Sequence, residues 1–203
     1  MTVDARRPRP GTPTRDRLLA AAYDLTEADG WGSVTMARVA REVGVSRQTV
    51  YNEFGTKHGL AQQLALHETL KFLEVARAAI VASDDLVDGL REACTGVLRF
   101  GETSVVIRSI AGPWAEDTDT DFLMLLTTES GQIVDLASSA VRDLIVDRFG
   151  PLPVSDAELD VAVEVVIRLV LSHLTRPGKS PKEAASDIAW LASRVLGVVT
   201  TTG

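Results

Sequence analysis

Thr35-Met-Ala-Arg-Val-Ala-Arg-Glu-Val-Gly-Val-Ser-Arg-Gln-Thr-Val-Tyr-Asn-Glu-Phe-Gly-Thr-Lys-His58 is the stretch that decides the fold of this 203-residue chain. It reads as two short helices around a tight turn. The Thr35 hydroxyl suits an N-cap, where it can accept an orphan amide. Met36, Val39, Ala40 and Val43 then fall at helical spacing and make one apolar stripe. Gly44 is the residue type that ends a helix in the left-handed conformation. Val45 is placed as a buried plug, and Ser46 can cap the next helix. From that helix Arg47, Gln48, Thr49, Tyr51 and Asn52 project, while Val50 and Phe54 form its inner side. Long hydrogen-bonding side chains at the start of an exposed second helix suit the major groove, whose base edges offer donors and acceptors. A helix-Gly-helix corner also occurs in ordinary bundles. Here the polar residues sit where groove contacts would have to be.

Working outward, residues 14–29 are expected to form a helix capped by Thr14, with Leu18, Ala21, Ala22, Leu25 and Ala28 on its apolar face. Gly30 ends it and Trp31 packs the corner, which gives a three-helix head. Residues 1–13 carry Arg6, Arg7, Arg9 and three prolines, and are expected to be a disordered arm. It is either a basic arm reaching DNA or a solvated tail. On the other side, Gly55 ends the second helix and Thr56 caps the next. Lys57 then lies at a helix N-terminus, where free amides and an ammonium make a phosphate site; a merely solvated lysine is the alternative. His58 either helps there or is simply exposed.

A long helix is expected over residues 57–81, joining the head rigidly to everything that follows. Further helices are expected at about 84–100, 103–110, 121–129 and 131–149, with a loop around Trp114. Ser155 with Glu158 and Ser180 with Glu183 match capping boxes for two final helices, the second with Pro181 at its first position. The whole is all-α, with about nine helices and no strand-like alternation or internal repeat. Between Leu159 and Leu171 the polar residues Asp160, Glu164 and Arg168 form one narrow stripe, and the final helix is rich in apolar residues too. Two such helices ask for a central position or a partner subunit. The expected homodimer interface is Val163, Ile167, Val170, Leu171, Leu191 and Val195; the alternative is that both helices serve only the monomer core.

Composition narrows the function classes. At 45% apolar residues and a mean hydropathy of +0.10, the chain can bury a sizeable core. It shows neither a membrane-spanning run nor a secretory leader, so no membrane partner and a cytoplasmic location are expected. The single cysteine, Cys94, has apolar neighbours and reads as a buried structural residue. Net charge is −7, which argues against a wholly electrostatic nucleic-acid binder. Of the 21 Lys/Arg and 28 Asp/Glu, however, residues 1–60 hold nine and seven. A mildly basic head thus sits on an acidic body. No nucleophile elbow, Walker loop, dinucleotide fingerprint or metal-ligand spacing is present. His58, His67 and His173 are far apart. No enzyme, catalytic residue, cofactor or metal site is expected.

The run Thr35 to Lys57, with Ala40-Arg-Glu-Val-Gly-Val-Ser46, Thr49-Val-Tyr51, Phe54 and Thr56-Lys57, closely resembles the N-terminal domain of the TetR family of transcriptional regulators. The likeness covers about residues 14–64; the remainder matches only in length and helical layout. The resemblance implies an all-helical homodimer whose head, residues 14–60, binds palindromic operator DNA. Its body, residues 61–203, dimerises and binds a small molecule that releases the DNA. It also implies Thr35, Arg47, Thr49, Tyr51 and Lys57 as DNA contacts. Side-chain chemistry adds Gln48, Asn52 and His58, with Arg47 and Gln48 as base readers. The sequence departs from the family at Asn52-Glu53, where an aromatic and a histidine are common; Glu53 is therefore expected to face away from phosphate or to pair with a base.

For the effector, Phe72, Phe100, Ile107, Trp114, Phe122, Leu126 and Val166 are candidate pocket residues, and together they ask for an apolar ligand. Arg99, Arg108 or Arg142 could hold a carboxylate at its mouth, or lie on the surface. The segment from Tyr51 through Gly59-Leu-Ala-Gln-Gln-Leu-Ala-Leu66 looks like regulators of the family associated with alkane and fatty-acid metabolism. That points to a fatty acid, an acyl-CoA or another long hydrophobic molecule; a drug sensed for efflux control is the alternative. An apolar-ligand carrier with an incidental helix–turn–helix is the competing function class.

Overall fold

Thr14 opens the first helix of a computed structural model that describes residues 14–111 and 120–197. Ten α-helices are present among these residues, and no strand. They are α1 (Thr14–Asp29), α2 (Met36–Val43), α3 (Arg47–Phe54), α4 (Lys57–Ala82), α5 (Leu86–Gly101), α6 (Val105–Ala111), α7 (Thr120–Leu126), α8 (Gly131–Phe149), α9 (Asp156–Thr175) and α10 (Pro181–Val195). A single 3-10 turn at Trp31–Ser33 joins α1 to α2. The N-terminal arm 1–13, the Trp114 loop, and Val198 and Val199 lie outside the described residues. No helix among them is long and apolar enough to cross a membrane.

Local chemistry sets most helix ends. Thr35, Ser46 and Thr56 each accept a backbone amide three residues on, from Arg38, Thr49 and Gly59 at 3.2, 3.1 and 3.0 Å. Gly44 closes α2 at φ 75°, a conformation that a β-carbon would strain. Both C-terminal capping boxes form, at Ser155–Glu158 and Ser180–Glu183. In each, the hydrogen bonds from the serine hold the glutamate below the usual carboxylate range.

The head is α1, α2 and α3 around Leu18, Ala22, Val34, Val39 and Val50, all essentially inaccessible. Arg17 straps it by donating to the Val43 carbonyl at 3.0 Å, and Arg38 donates to the Ser33 carbonyl at 3.1 Å and to Asp29. Arg15 donates to the Glu53 carbonyl at 2.9 Å, lies 3.6 Å from its carboxylate and covers the Phe54 ring. Glu53 thus pairs with a basic side chain. The body is α4 to α10, in which α4 packs on α5 and α8, and α10 on α5. Arg142 of α8 draws in α9 through Asp156 at 2.8 Å and Asp160 at 2.5 Å. On α9, the Glu164–Arg168 pair forms at 2.7 Å.

Candidate DNA-binding face and effector cavity

Of the residues expected to meet DNA, Arg47, Gln48, Tyr51 and Asn52 are exposed along α3, whose opposite side buries Val50 and Phe54. Gln48 donates to the Asn52 side chain at 2.9 Å, so the two present one amide pair. Thr49 is half-buried, with its hydroxyl 2.9 Å from that of Ser46. Thr35 is exposed at the start of α2. Lys57, at the start of α4, places its ammonium 4.9 Å from the centre of the Trp31 ring.

His58 departs from its expected role. Its Nδ1 lies 3.0 Å from Asp121 of α7 and its Nε2 lies 2.9 Å from Glu129. Both ring nitrogens are therefore committed within the chain, which leaves the ring no polar atom for a phosphate. The hydrogen bond to Asp121 raises its pKa above the ordinary imidazole value, and that to Glu129 adds to the shift against partial burial. Asp121 also accepts from the Trp31 indole N–H at 3.1 Å, and Trp31 packs on Phe122 with ring centres 4.8 Å apart. Trp31 of the head thus meets α7 of the body in a cluster that also holds His58 and Glu129. Local pattern does not reveal it, because its hydrogen-bonded pairs are separated by 63 to 90 residues in the chain.

The body encloses a cavity of about 100 Å3 whose walls come from α4, α5, α6, α7, α8 and α9. Phe72, Ile107, Leu126 and Val166 line it as expected. Phe100 instead stands behind Phe72, edge-on at 4.8 Å. Phe122 is fully buried elsewhere, under Trp31. Trp114 lies outside the described residues. Arg99, Arg108 and Arg142 do not line the cavity; Arg99 and Arg108 are exposed, and Arg142 is spent on its aspartates. The one charged side chain among the described lining residues is Glu68, 2% exposed. It was not anticipated, yet it sits four residues after Leu64 and four before Phe72, on the inward stripe of α4.

The interface expectation also needs correction. Val163 and Val170 are buried within the protomer, and Ile167 and Leu171 are half-buried in the cavity wall. A side chain already covered by its own chain has no surface to give a partner. The large apolar residues left exposed on these helices are Val161 and Val165 of α9 and Trp190, Leu191 and Val195 of α10.

A three-helix head that presents an exposed polar helix, fixed to a helical body around an apolar cavity, defines a helix–turn–helix transcriptional regulator. Residues 18–64 match the family model for bacterial regulatory proteins of the tetR family, and residues 85–194 match that for the bacterial tetracyclin repressor C-terminal domain. The chain belongs to the TetR family of transcriptional regulators, whose members are DNA-binding proteins, not enzymes. It is 32% identical over 182 residues to the HTH-type transcriptional regulator AlkX of Mycobacterium tuberculosis, covering 87% of this chain and 82% of that one. Identity to UidR of Escherichia coli K12 is 28% over 101 residues, about half of each chain. Among solved structures, the TetR family repressor AlkX of a Dietzia strain, implicated in biodegradation of n-alkanes, superposes with a TM-score of 0.77 at 28% identity. That match covers 93% of this chain and 97% of the other. QsdR of Rhodococcus erythropolis shares the fold at a TM-score of 0.67 and 21% identity, covering 94% of this chain and 100% of that one.

Proposed function

We propose that this chain is a repressor that binds palindromic operator DNA as a homodimer and is released by a hydrophobic effector seated in the cavity of the body. The observation that carries the DNA reading is the exposed face of α3, where Arg47, Gln48, Tyr51 and Asn52 lie together beside the Lys57 helix start. Arg47 and Gln48 read bases. Thr35, Thr49, Tyr51 and Lys57 hold the backbone, and Asn52 steadies Gln48. Arg47→Ala is expected to cost about 1–3 kcal/mol and to relax specificity, whereas Lys57→Ala weakens all sequences and flattens the salt slope by about one unit. Fluorescence anisotropy with a duplex selected from a random library, against scrambled duplex, distinguishes the two. Unchanged discrimination in the Arg47 variant would remove it from the base readers.

Dimerisation rests on Val161, Val165, Trp190, Leu191 and Val195, the large apolar side chains that α9 and α10 leave exposed. The effector reading rests on the cavity walls, which are nearly all aliphatic, and on the alkane-related name of the Dietzia relative. The acyl chain of a fatty acid or acyl-CoA matches those walls; its head group does not.

Coupling runs through α7. Leu126, at one end, lines the cavity, and Asp121 and Phe122, at the other, hold Trp31 of the head and His58 at the start of α4. An effector that displaces α7 therefore disturbs the seat of the DNA-binding helices, provided it prefers the displaced state. The junction has a pH signature. Doubly protonated His58 donates to both carboxylates at once; the neutral ring donates to one. Because the folded pKa is raised, this stabilisation is complete below the unfolded value of about 6.5 and is lost as pH rises through the folded one. Between about pH 6 and pH 9, the melting temperature of the unmodified protein is expected to fall more than that of His58→Gln. Parallel curves would show that His58 contributes no titrating contact.

A further inference from the structure

The cavity of the body offers a guest almost no polar surface. Among the described lining residues, all but Glu68, Thr69 and Cys94 are Ala, Val, Leu, Ile or Phe. Glu68 accepts at Oε1 from Lys71 and at Oε2 from Ser104, both at 2.7 Å. Its charge is thereby neutralised and each oxygen is engaged within the chain. The Thr69 hydroxyl donates to the Ala65 carbonyl at 2.8 Å. Cys94 brings only a weakly hydrogen-bonding thiol. The backbone of the walls is helical, so its amides and carbonyls run along the helix axes and not into the space.

We propose that the effector is a hydrocarbon without a polar head group, an alkane or alkene, and that the cavity selects it by leaving any head group unpaired. This rests on the cavity being the effector site. A hydroxyl that enters gives up hydrogen bonds to water and receives none in return; a carboxylate or an ammonium gives up far more. A hydrocarbon loses no hydrogen bond, leaves water, and exchanges empty volume for contact. A dry apolar cavity of about 150 Å3 accepts benzene, so one of about 100 Å3 takes a chain of about four or five carbons with its walls in place.

The nearest cations do not alter this selectivity. Ile107 and Leu174 line both the cavity and an open cleft of about 380 Å3 that carries Arg108, His173 and Lys179, with Glu102 among them. Both partition residues are 6% exposed. Leu174 is seated on Gly101, where a β-carbon would come within 2.2 Å of it. A molecule with its chain in the cavity and its head group in the cleft has to displace that partition.

Calorimetric titration of the full chain into sealed solutions of n-pentane, pentan-1-ol and pentanoate tests this at neutral pH. n-Pentane is expected to bind roughly tenfold to a hundredfold more tightly than the alcohol, the effect of leaving one hydroxyl unpaired. Pentanoate is expected to give no saturable heat. Ala137→Leu enlarges a side chain of the cavity wall and is expected to abolish n-pentane binding. Unchanged binding in the folded variant would place the hydrocarbon elsewhere and overturn the proposal. The ranking on the unmodified protein stands even if that variant does not fold. Pentan-1-ol or pentanoate binding as tightly as n-pentane overturns the proposal too. So does pentanoate binding that Arg108→Ala removes, since the head group would then lie in the cleft. Binding of none of the three overturns the reading of the cavity as the effector site, a failure distinct from loss of selectivity within it.

Discussion

Replacing Trp31 by alanine is expected to lower unfolding stability by about 3–5 kcal/mol, the range for a fully buried large aromatic. The residue is 2% exposed and meets three different partners: the Phe122 ring, the Asp121 carboxylate and the Lys57 ammonium. Its loss would leave a cavity between head and body and strip Asp121 of one of its two donors. In a chain of this size that corresponds to a fall of roughly 6–20 °C in melting temperature. Trp31→Phe keeps the ring contact with Phe122 but removes the indole donor, and is expected to cost about 1 kcal/mol. Denaturant titration followed by circular dichroism separates the two. A loss below about 1 kcal/mol for the alanine variant would show that this junction does not hold the head.

The second large effect is expected at Gly59, in the first turn of α4. A β-carbon there would lie 2.1 Å from the Phe54 carbonyl oxygen and 3.3 Å from its carbon. Both are backbone atoms, so no rotamer change relieves the clash, and the turn Gly55–Thr56 must open. Because Phe54 is the last residue of α3, opening the turn moves the exposed polar helix relative to α4. Gly59→Ala is therefore expected to destabilise the protein by about 1–3 kcal/mol. It should weaken DNA binding further, by about 1–3 kcal/mol for each base contact put out of register. The measurement is anisotropy on the selected duplex at a temperature where circular dichroism shows the variant folded. Full affinity in a folded Gly59→Ala protein would mean that the position of α3 does not depend on this turn.

Sequence made the head legible because its determinants are local. Thr35, Ser46 and Thr56 each act within three residues, and a cap followed by an apolar period can be read directly. The capping boxes that begin α9 and α10 were legible for the same reason. The body was legible only as a set of helices. Periodicity shows that α9 has apolar faces but not which neighbour each face meets. Periodicity thus offers Val163 and Val170 to a partner although their own chain covers them, and does not single out Val161 and Val165 on the exposed side. Its aromatic side chain likewise suggests Phe122 for the cavity, although it lies under Trp31. Long-range pairing explains the two largest omissions. His58 finds Asp121 and Glu129 only once the chain is folded, and the partner that makes Glu68 tolerable in the core includes Ser104, 36 residues away.

Cys94 has a consequence for handling the molecule. It is the only cysteine in the chain, it stands in the cavity wall, and burial lifts its thiol to about 12. Near neutral pH almost none of it is thiolate, the form that reacts with alkylating reagents and disulfides. The folded chain should therefore tolerate air without covalent cross-linking. When an electrophile does react, the thiol must first have been uncovered, so the rate of modification measures how often the body opens. A molecule occupying the cavity would slow that chemistry without touching sulfur, giving an occupancy assay with no added fluorophore.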